Sequence, residues 1–134
     1  MSVRIEARAE ELLKARNFCH ISTLRPDGSI QTAPVWVDVQ DGAPVVNSAE
    51  GRAWPRNLER DPRVTLTVQN LENPYYEYVE IRGQVAERTH EGADEHIDWL
   101  AKKYLDLDDY PNRQPGEQRV IIRIAPEHVH LHGR

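Results

Sequence analysis

Residues 45–64, Val-Val-Asn-Ser-Ala-Glu-Gly-Arg-Ala-Trp-Pro-Arg-Asn-Leu-Glu-Arg-Asp-Pro-Arg-Val, open as a β-branched strand and break at Gly51. From about Pro55 they read as one or two helical turns, which Asp61-Pro62 ends. Arg52, Arg56 and Arg60 stand four apart, so a helical backbone puts them on one face. Like charges on one face repel each other. Two readings stand. Glu50, Glu59 and Asp61 could serve as counter-ions on a solvated turn. Alternatively, the row is a site for a phosphate or carboxylate tail, to which a strand end feeding a helix start adds free backbone N–H groups.

The rest of the chain bounds the choice. At 134 residues, one domain over 1–134 is expected, with room for a single core. The formal net charge of −5 argues against a nucleic-acid module, whose footprint is a basic excess. Local basic clusters in an acidic chain suit a small anionic ligand better. No apolar run approaches a membrane span, and Met-Ser-Val-Arg-Ile-Glu-Ala-Arg at the start carries no apolar signal region. The only cysteine, Cys19, rules out an internal disulfide and fits a reducing cytoplasm.

Working outward, residues 4–16 predict a helix with Ile5, Ala9, Leu12 and Leu13 as its apolar stripe. A strand follows over 17–24. Arg25-Pro-Asp-Gly28 is a hairpin turn, since Pro26 presets φ and Gly28 accepts a positive one. Residues 29–39 form the returning strand and 43–48 the third, and Pro34 and Pro44 belong at bulges or edge positions. Val64, Leu66 and Val68 alternate with polar residues. In the long strand 75–88, Val79, Ile81, Gly83 and Val85 share one face, while Tyr78, Glu80, Arg82 and Gln84 share the other. Residues 91–104 predict a helix, 105–117 a loop long enough to be functional, and 118–125 a last strand. Six strands joined mostly by hairpin turns, with helices at the periphery, imply a mainly β (α+β) fold, a small antiparallel barrel.

No phosphate-binding glycine loop, nucleophile elbow or zinc-protease helix is present. Cys19 sits among apolar neighbours and reads as a buried, inert thiol. His128, His130 and His132 alternate, which gives a solvated strand face rather than a metal site, because no carboxylate or thiol completes a ligand set. Trp36, Trp54, Tyr76, Tyr78 and Trp99 sit on or beside the segments carrying the arginines, and Trp54 lies between Arg52 and Arg56. A flat conjugated ligand with an anionic tail accounts for both sets. Such a ligand carries the redox chemistry itself, leaving the protein to orient it.

Several stretches in order resemble one family. His20-Ile-Ser-Thr-Leu-Arg-Pro-Asp-Gly-Ser-Ile-Gln-Thr-Ala-Pro-Val-Trp-Val-Asp38 is similar to the first hairpin of the flavin/deazaflavin split-barrel proteins related to pyridoxamine 5′-phosphate oxidase. Val46-Asn-Ser-Ala-Glu-Gly-Arg52 and Arg56-Asn-Leu-Glu-Arg-Asp-Pro-Arg-Val64 resemble its cofactor segment. Asn73–Gly83, Glu91–Leu105, Tyr110–Glu117 and Arg119–Ile124 are similar to the actinobacterial B group, which uses coenzyme F420.

The resemblance implies a six-stranded antiparallel split β-barrel (the FMN-binding split barrel) working as a homodimer with two interface sites. It implies a cofactor ring against Gln31, Thr32, Ala33, Pro34, Val35 and Trp36, and a tail at Asn47, Ser48, Ala49, Arg52, Arg56 and Asn57. Tyr76, Tyr78 and Trp99 are then additions from the partner chain. The function implied is F420-dependent hydride transfer to or from a small organic substrate, with Tyr78 as candidate proton donor and no metal. FMN-based oxidase or reductase activity is one alternative, and a non-catalytic carrier of F420 or flavin is another. One departure stands out: many members have lysine where this chain has Trp54, so a cation to phosphate is exchanged for an indole face.

Overall fold

The computed structural model describes residues 2–133; Met1 and Arg134, the ends of the expected 1–134 domain, lie outside the described residues. In chain order the elements are α1 (Ala7–Lys14), β1 (Cys19–Leu24), β2 (Ile30–Val35), β3 (Asp38–Gln40), β4 (Ala43–Ala49), α2 (Ala53–Arg60), β5 (Arg63–Gln69), β6 (Tyr78–Thr89), α3 (Ala93–Leu105) and β7 (Arg119–His132). All neighbouring strands pair antiparallel, in the order β2-β1-β5-β6-β7-β4-β3. Mainly β with three peripheral helices is what the sequence pattern demanded.

Alternation sorts the two faces. Ile21, Leu66, Val68, Val79, Ile81, Val120, Ile122 and Ile124 are fully buried on the inner face. Ala9, Leu12 and Leu13 of α1 join that cluster. At roughly 1.5–3 kcal/mol for each fully buried aliphatic side chain, this face is the main source of stability. The other face of β6 and β7 sets Tyr78 opposite His132, Glu80 opposite His130 and Arg82 opposite His128. All three histidines are exposed. Among the described residues, no helix is long and apolar enough to cross a membrane.

Several expected boundaries move, each for a local reason. The 29–39 strand divides into β2 and β3, giving seven strands rather than six. Here α3 takes the hydrogen bonds a sheet neighbour would have: Val37 N–H donates to Tyr104 Oη (3.3 Å), and Lys103 Nζ donates to Val37 O (2.7 Å). The 4–16 helix shortens to α1, because Val3 N–H donates to Pro126 O (2.6 Å) and Ile5 N–H to Gly42 O (3.3 Å). Asn17 Nδ2 donates to Leu12 O (3.0 Å), satisfying a carbonyl that the helix end leaves free. The long strand starts at Tyr78, since residues 70–77 close on themselves through Asn70 N–H to Glu77 O (3.0 Å). β7 continues to His132 because β6 pairs with it throughout, bending at register shifts by Arg82/Gly83 and Val85/Glu87. At the first shift only glycine fits: a Cβ on Gly83 would stand 2.1 Å from Ala125 O. Pro34 lies on the edge strand β2, as its missing donor requires, and Pro44 pairs only with the other edge, β3.

Candidate functional site

A cavity of about 400 Å³ opens where the ends of β2 and β4, the start of α2 and the loop after α3 converge. One wall is apolar and aromatic: Phe18, Pro34, Val35, Trp36, Trp54 and Ile97. The other is polar: Asn47, Ser48, Arg52, Asn112 and Arg119, with Tyr110 between the two walls.

The aromatic wall is a stacked row. Trp36 lies parallel to Tyr104 (centroids 5.4 Å apart, 7° between planes), and Phe18 stacks on the same ring at 6.4 Å. Tyr110 meets Trp36 edge-on at 5.9 Å. Tyr104 holds this row to the backbone by donating to Asn17 O (2.7 Å). Burial pushes its phenol well above the usual tyrosine range, so it stays protonated and keeps donating. Trp54 is 7% exposed and belongs to the core cluster as well as the cavity wall.

The polar wall rests on a buried chain of hydrogen bonds. Arg119 Nε donates to Asn47 Oδ1 (3.0 Å). That contact orients the Asn47 amide, whose Nδ2 then donates to Ala93 O (3.0 Å) and to His96 Nδ1 (3.0 Å). With Nδ1 accepting, His96 carries its proton on Nε2 and gives it to Asp38 Oδ2 (3.1 Å). Burial by itself would raise the Asp38 carboxyl. Hydrogen bonds from His96, Gln40 and the Val39 N–H outweigh it and hold the group below its ordinary value. On the outer side, Arg119 Nη1 donates to Glu117 Oε1 (3.1 Å), and Arg52 Nη2 reaches Glu117 Oε2 at 3.5 Å.

The loop over 105–117 contributes directly. Asp98 of α3 anchors it, accepting from Tyr110 N–H (2.8 Å) and Arg113 Nη2 (2.7 Å). This brings Tyr110 and Asn112 into the wall.

Of the candidate residues, the cavity brings together Pro34, Val35, Trp36, Asn47, Ser48, Arg52 and Trp54. The others do not line it. Gln31 accepts from Asn57 Nδ2 (2.9 Å), which also donates to Thr23 Oγ1 (3.0 Å), so this pair ties α2 to β1 and β2. Thr32 shares a hydrogen bond with Ser22 (3.0 Å), Ala33 packs against the core, and Ala49 is buried opposite Arg119. The arginine row divides. Arg52 precedes α2 and faces the cavity, Arg56 is exposed, and Arg60 turns back to Leu24 O (2.8 Å) and Asn57 Oδ1 (3.0 Å). Tyr76 is exposed, and Trp99 is exposed and parallel to His96. Tyr78 stacks on His132 at 5.1 Å, away from the cavity, where Tyr110 supplies the phenol instead.

Sequence reasoning missed Phe18, Ile97, Tyr110, Asn112 and Arg119 as site residues. Arg119 carried a signal: a charge opening the otherwise apolar run Arg-Val-Ile-Ile at the start of a strand.

None of the described residues lining the cavity is Asp, Glu, His, Lys or Cys. Cys19 is fully buried, and burial pushes its thiol up to about 12, which leaves it without nucleophilic character. Among the described residues, the walls thus offer aromatic and cationic contacts and no carboxylate, imidazole, amine or thiol. The donor set fits a flat molecule with an anionic arm: an aromatic wall, two guanidinium groups, and the Ser48 hydroxyl, buried without a protein partner.

Residues 5–133 match the family model described as pyridoxamine 5′-phosphate oxidase. No curated protein sequence matches the chain. Among solved structures, an F420 reductase is 26% identical, with a TM-score of 0.80 over 94% of this chain and 98% of its own. The conserved hypothetical protein Rv2991 from Mycobacterium tuberculosis is 21% identical, with a TM-score of 0.75 over 98% of this chain and 86% of its own. General stress protein 26 from Bacillus anthracis is 16% identical, with a TM-score of 0.69 over 93% and 91%. The fold is the split barrel, and in this chain its sheet has seven strands and is not closed.

Proposed function

Because the chain belongs to the pyridoxamine 5′-phosphate oxidase family of flavin-binding oxidoreductases, we propose that it is an F420-dependent oxidoreductase of the B group. It acts on a small organic substrate, as one split-barrel domain paired with a second copy. The observation that carries this reading is the cavity itself, which has an aromatic wall, a cationic wall and no side-chain base. The 26% identity to an F420 reductase over nearly the full length of both chains supports F420 as the cofactor.

Reduced F420 supplies a hydride, so the protein needs no nucleophile of its own. Pro34, Val35 and Trp36 would flank a bound ring, and the stacked Tyr104 keeps the indole of Trp36 in one orientation. Arg52 and Arg119 would hold the anionic arm, and the Ser48 hydroxyl, which has no protein partner, would satisfy one of its polar atoms, while Asn47 keeps Arg119 in place. The Trp54 indole closes the site where many relatives carry a lysine. Substrate protonation comes from solvent or from the Tyr110 phenol.

Dimerisation is part of the proposal. Tyr76 and Trp99 are 68% and 52% exposed, more than aromatic side chains of a lone domain require, and a second copy covers them. That copy also places Tyr78 beside a site built from two chains.

Titration with F420 and FMN, followed by hydride transfer to a panel of activated C=C and C=N acceptors, tests the function. F420 binding and acceptor-dependent oxidation are expected. Submicromolar FMN binding without F420 binding overturns the choice of cofactor; the loss of a cation at Trp54 favours that second reading. Tight binding of reduced F420 with oxidation no faster than in free solution identifies a carrier.

A further inference from the structure

Arg119 is the least expected residue of the cavity. Its side chain is 2% exposed, its guanidinium lies over the Tyr110 ring at 5.1 Å, and it opens a strand that continues Val-Ile-Ile. Two of its nitrogens are committed, Nε to Asn47 and Nη1 to Glu117. The Asp38–His96–Asn47 chain fixes the first contact, so the guanidinium cannot turn without breaking several buried bonds. Nη2 makes no hydrogen bond to the described residues, and Arg119 lines the cavity.

Glu117 is placed with comparable definition. Pro115-Gly116 forms the centre of a turn closed by Glu117 N–H to Gln114 O (3.2 Å), and Gly116 has the positive φ (+74°) that position needs. The Glu117 side chain is only 6% exposed and lies between two guanidinium groups. The two contacts are unequal: 3.1 Å to Arg119, but 3.5 Å to Arg52, whose side chain is 48% exposed. One carboxylate against two guanidiniums leaves a net positive charge in a partly enclosed cavity. The longer contact is the one a better partner can take.

We propose that Glu117 is a built-in stand-in for the oxyanion of the ligand, and that Arg119 is the residue that reads that oxyanion. A phosphate or carboxylate entering between the two arginines draws Arg52 away from Glu117, which stays on Arg119. This deepens the cofactor reading above and rests on it. Glu117 thereby keeps the empty arginines from repelling each other, and it lowers affinity by competing with the ligand for Arg52.

The experiment compares the wild type with Glu117→Gln and Arg119→Lys. Each is titrated with F420 and with its neutral deazaflavin chromophore lacking phosphate and glutamates; FMN and riboflavin form a second charged and neutral pair. Glu117→Gln should tighten the charged ligand about three- to tenfold and Arg119→Lys should weaken it about tenfold, with the neutral ligand within about twofold in both. Unchanged or weaker binding of the charged ligand in Glu117→Gln defeats the stand-in. So does an equal change for the neutral one, and either result leaves the cofactor reading intact if the chromophore still binds.

Calorimetry with inorganic phosphate and with triglutamate, no chromophore present, separates the two sources of negative charge. Tightening of either by Glu117→Gln supports the oxyanion site even where no flavin or deazaflavin binds, which would be the separate failure of the cofactor reading. Because Gln still offers an oxygen to Arg119, that variant keeps the test valid if Arg119→Lys does not fold.

Discussion

Replacing Arg52 and Arg56 one at a time by alanine asks whether the arginine row works as a unit. The sequence treats them alike, and equal losses of affinity would follow. The structure separates them: Arg52 lines the cavity, and Arg56 is exposed away from it. The Arg52 contact with Glu117, at 3.5 Å, is longer than the ~2.8 Å of a strong charge-assisted bond, so its donors are available to a ligand. Such a bond contributes roughly 1.5–3 kcal/mol when buried. With the side chain 48% exposed, the low end applies, about 1.4 kcal/mol or a tenfold loss in affinity. Arg56→Ala should change affinity by less than about threefold, and that part should vanish at high salt. Fluorescence titration with F420 at two ionic strengths measures both. An Arg56→Ala loss equal to or greater than that of Arg52→Ala would refute the division of the row and return the anion to the outer face of α2.

Three other outcomes follow from the fold. Asp38 has a depressed carboxyl pKa in the folded chain, so it stabilises above its unfolded value of about 3.8, and that stability is lost as pH falls through the folded value. Asp38→Asn should therefore flatten the acid limb of urea stability below about pH 4 while lowering stability at pH 7; a parallel shift at both pH values would remove the assigned cause. Cys19, with its thiol pushed up to about 12, should react with a thiol reagent at pH 8 only as fast as the chain unfolds, and immediate stoichiometric labelling would contradict its burial. Gly83→Ala sets a Cβ 2.1 Å from Ala125 O and should cost about 1–3 kcal/mol, read as a lower urea midpoint; a neutral outcome would mean the strand crossing yields more readily than the packing indicates.

Local pattern made much of this molecule legible. The alternation of Val64, Leu66 and Val68 put three side chains into the core, and the Pro26–Gly28 turn closed the first hairpin. Cys19 had the expected burial. Seven of the candidate binding residues line the cavity, because they sit at strand ends and a helix start, where both the motif and the backbone geometry point the same way. Strand length was harder to read. β7 runs to His132 through Pro126 only because β6 lies alongside it.

What escaped the sequence has one physical origin. Asn57, a candidate ligand contact, lies outside the cavity and donates to Thr23 and Gln31. Tyr78, the candidate proton donor, stacks on His132 outside the cavity of its own chain, so its place at a site depends on a second copy. Arg119 was invisible as a site residue, because its role depends on Asn47, which is 72 positions away and paired through the sheet. Alternation and turn chemistry act over a few residues, so the sequence by itself determined which segments become strands or helices and which face is buried, but not where every element ends. Which polar side chains meet in the cavity depends on contacts between segments far apart in the chain. Only the closing of β7 against β4, with α3 laid across them, decided that Arg119 faces the cavity and that Glu117 stands between it and Arg52.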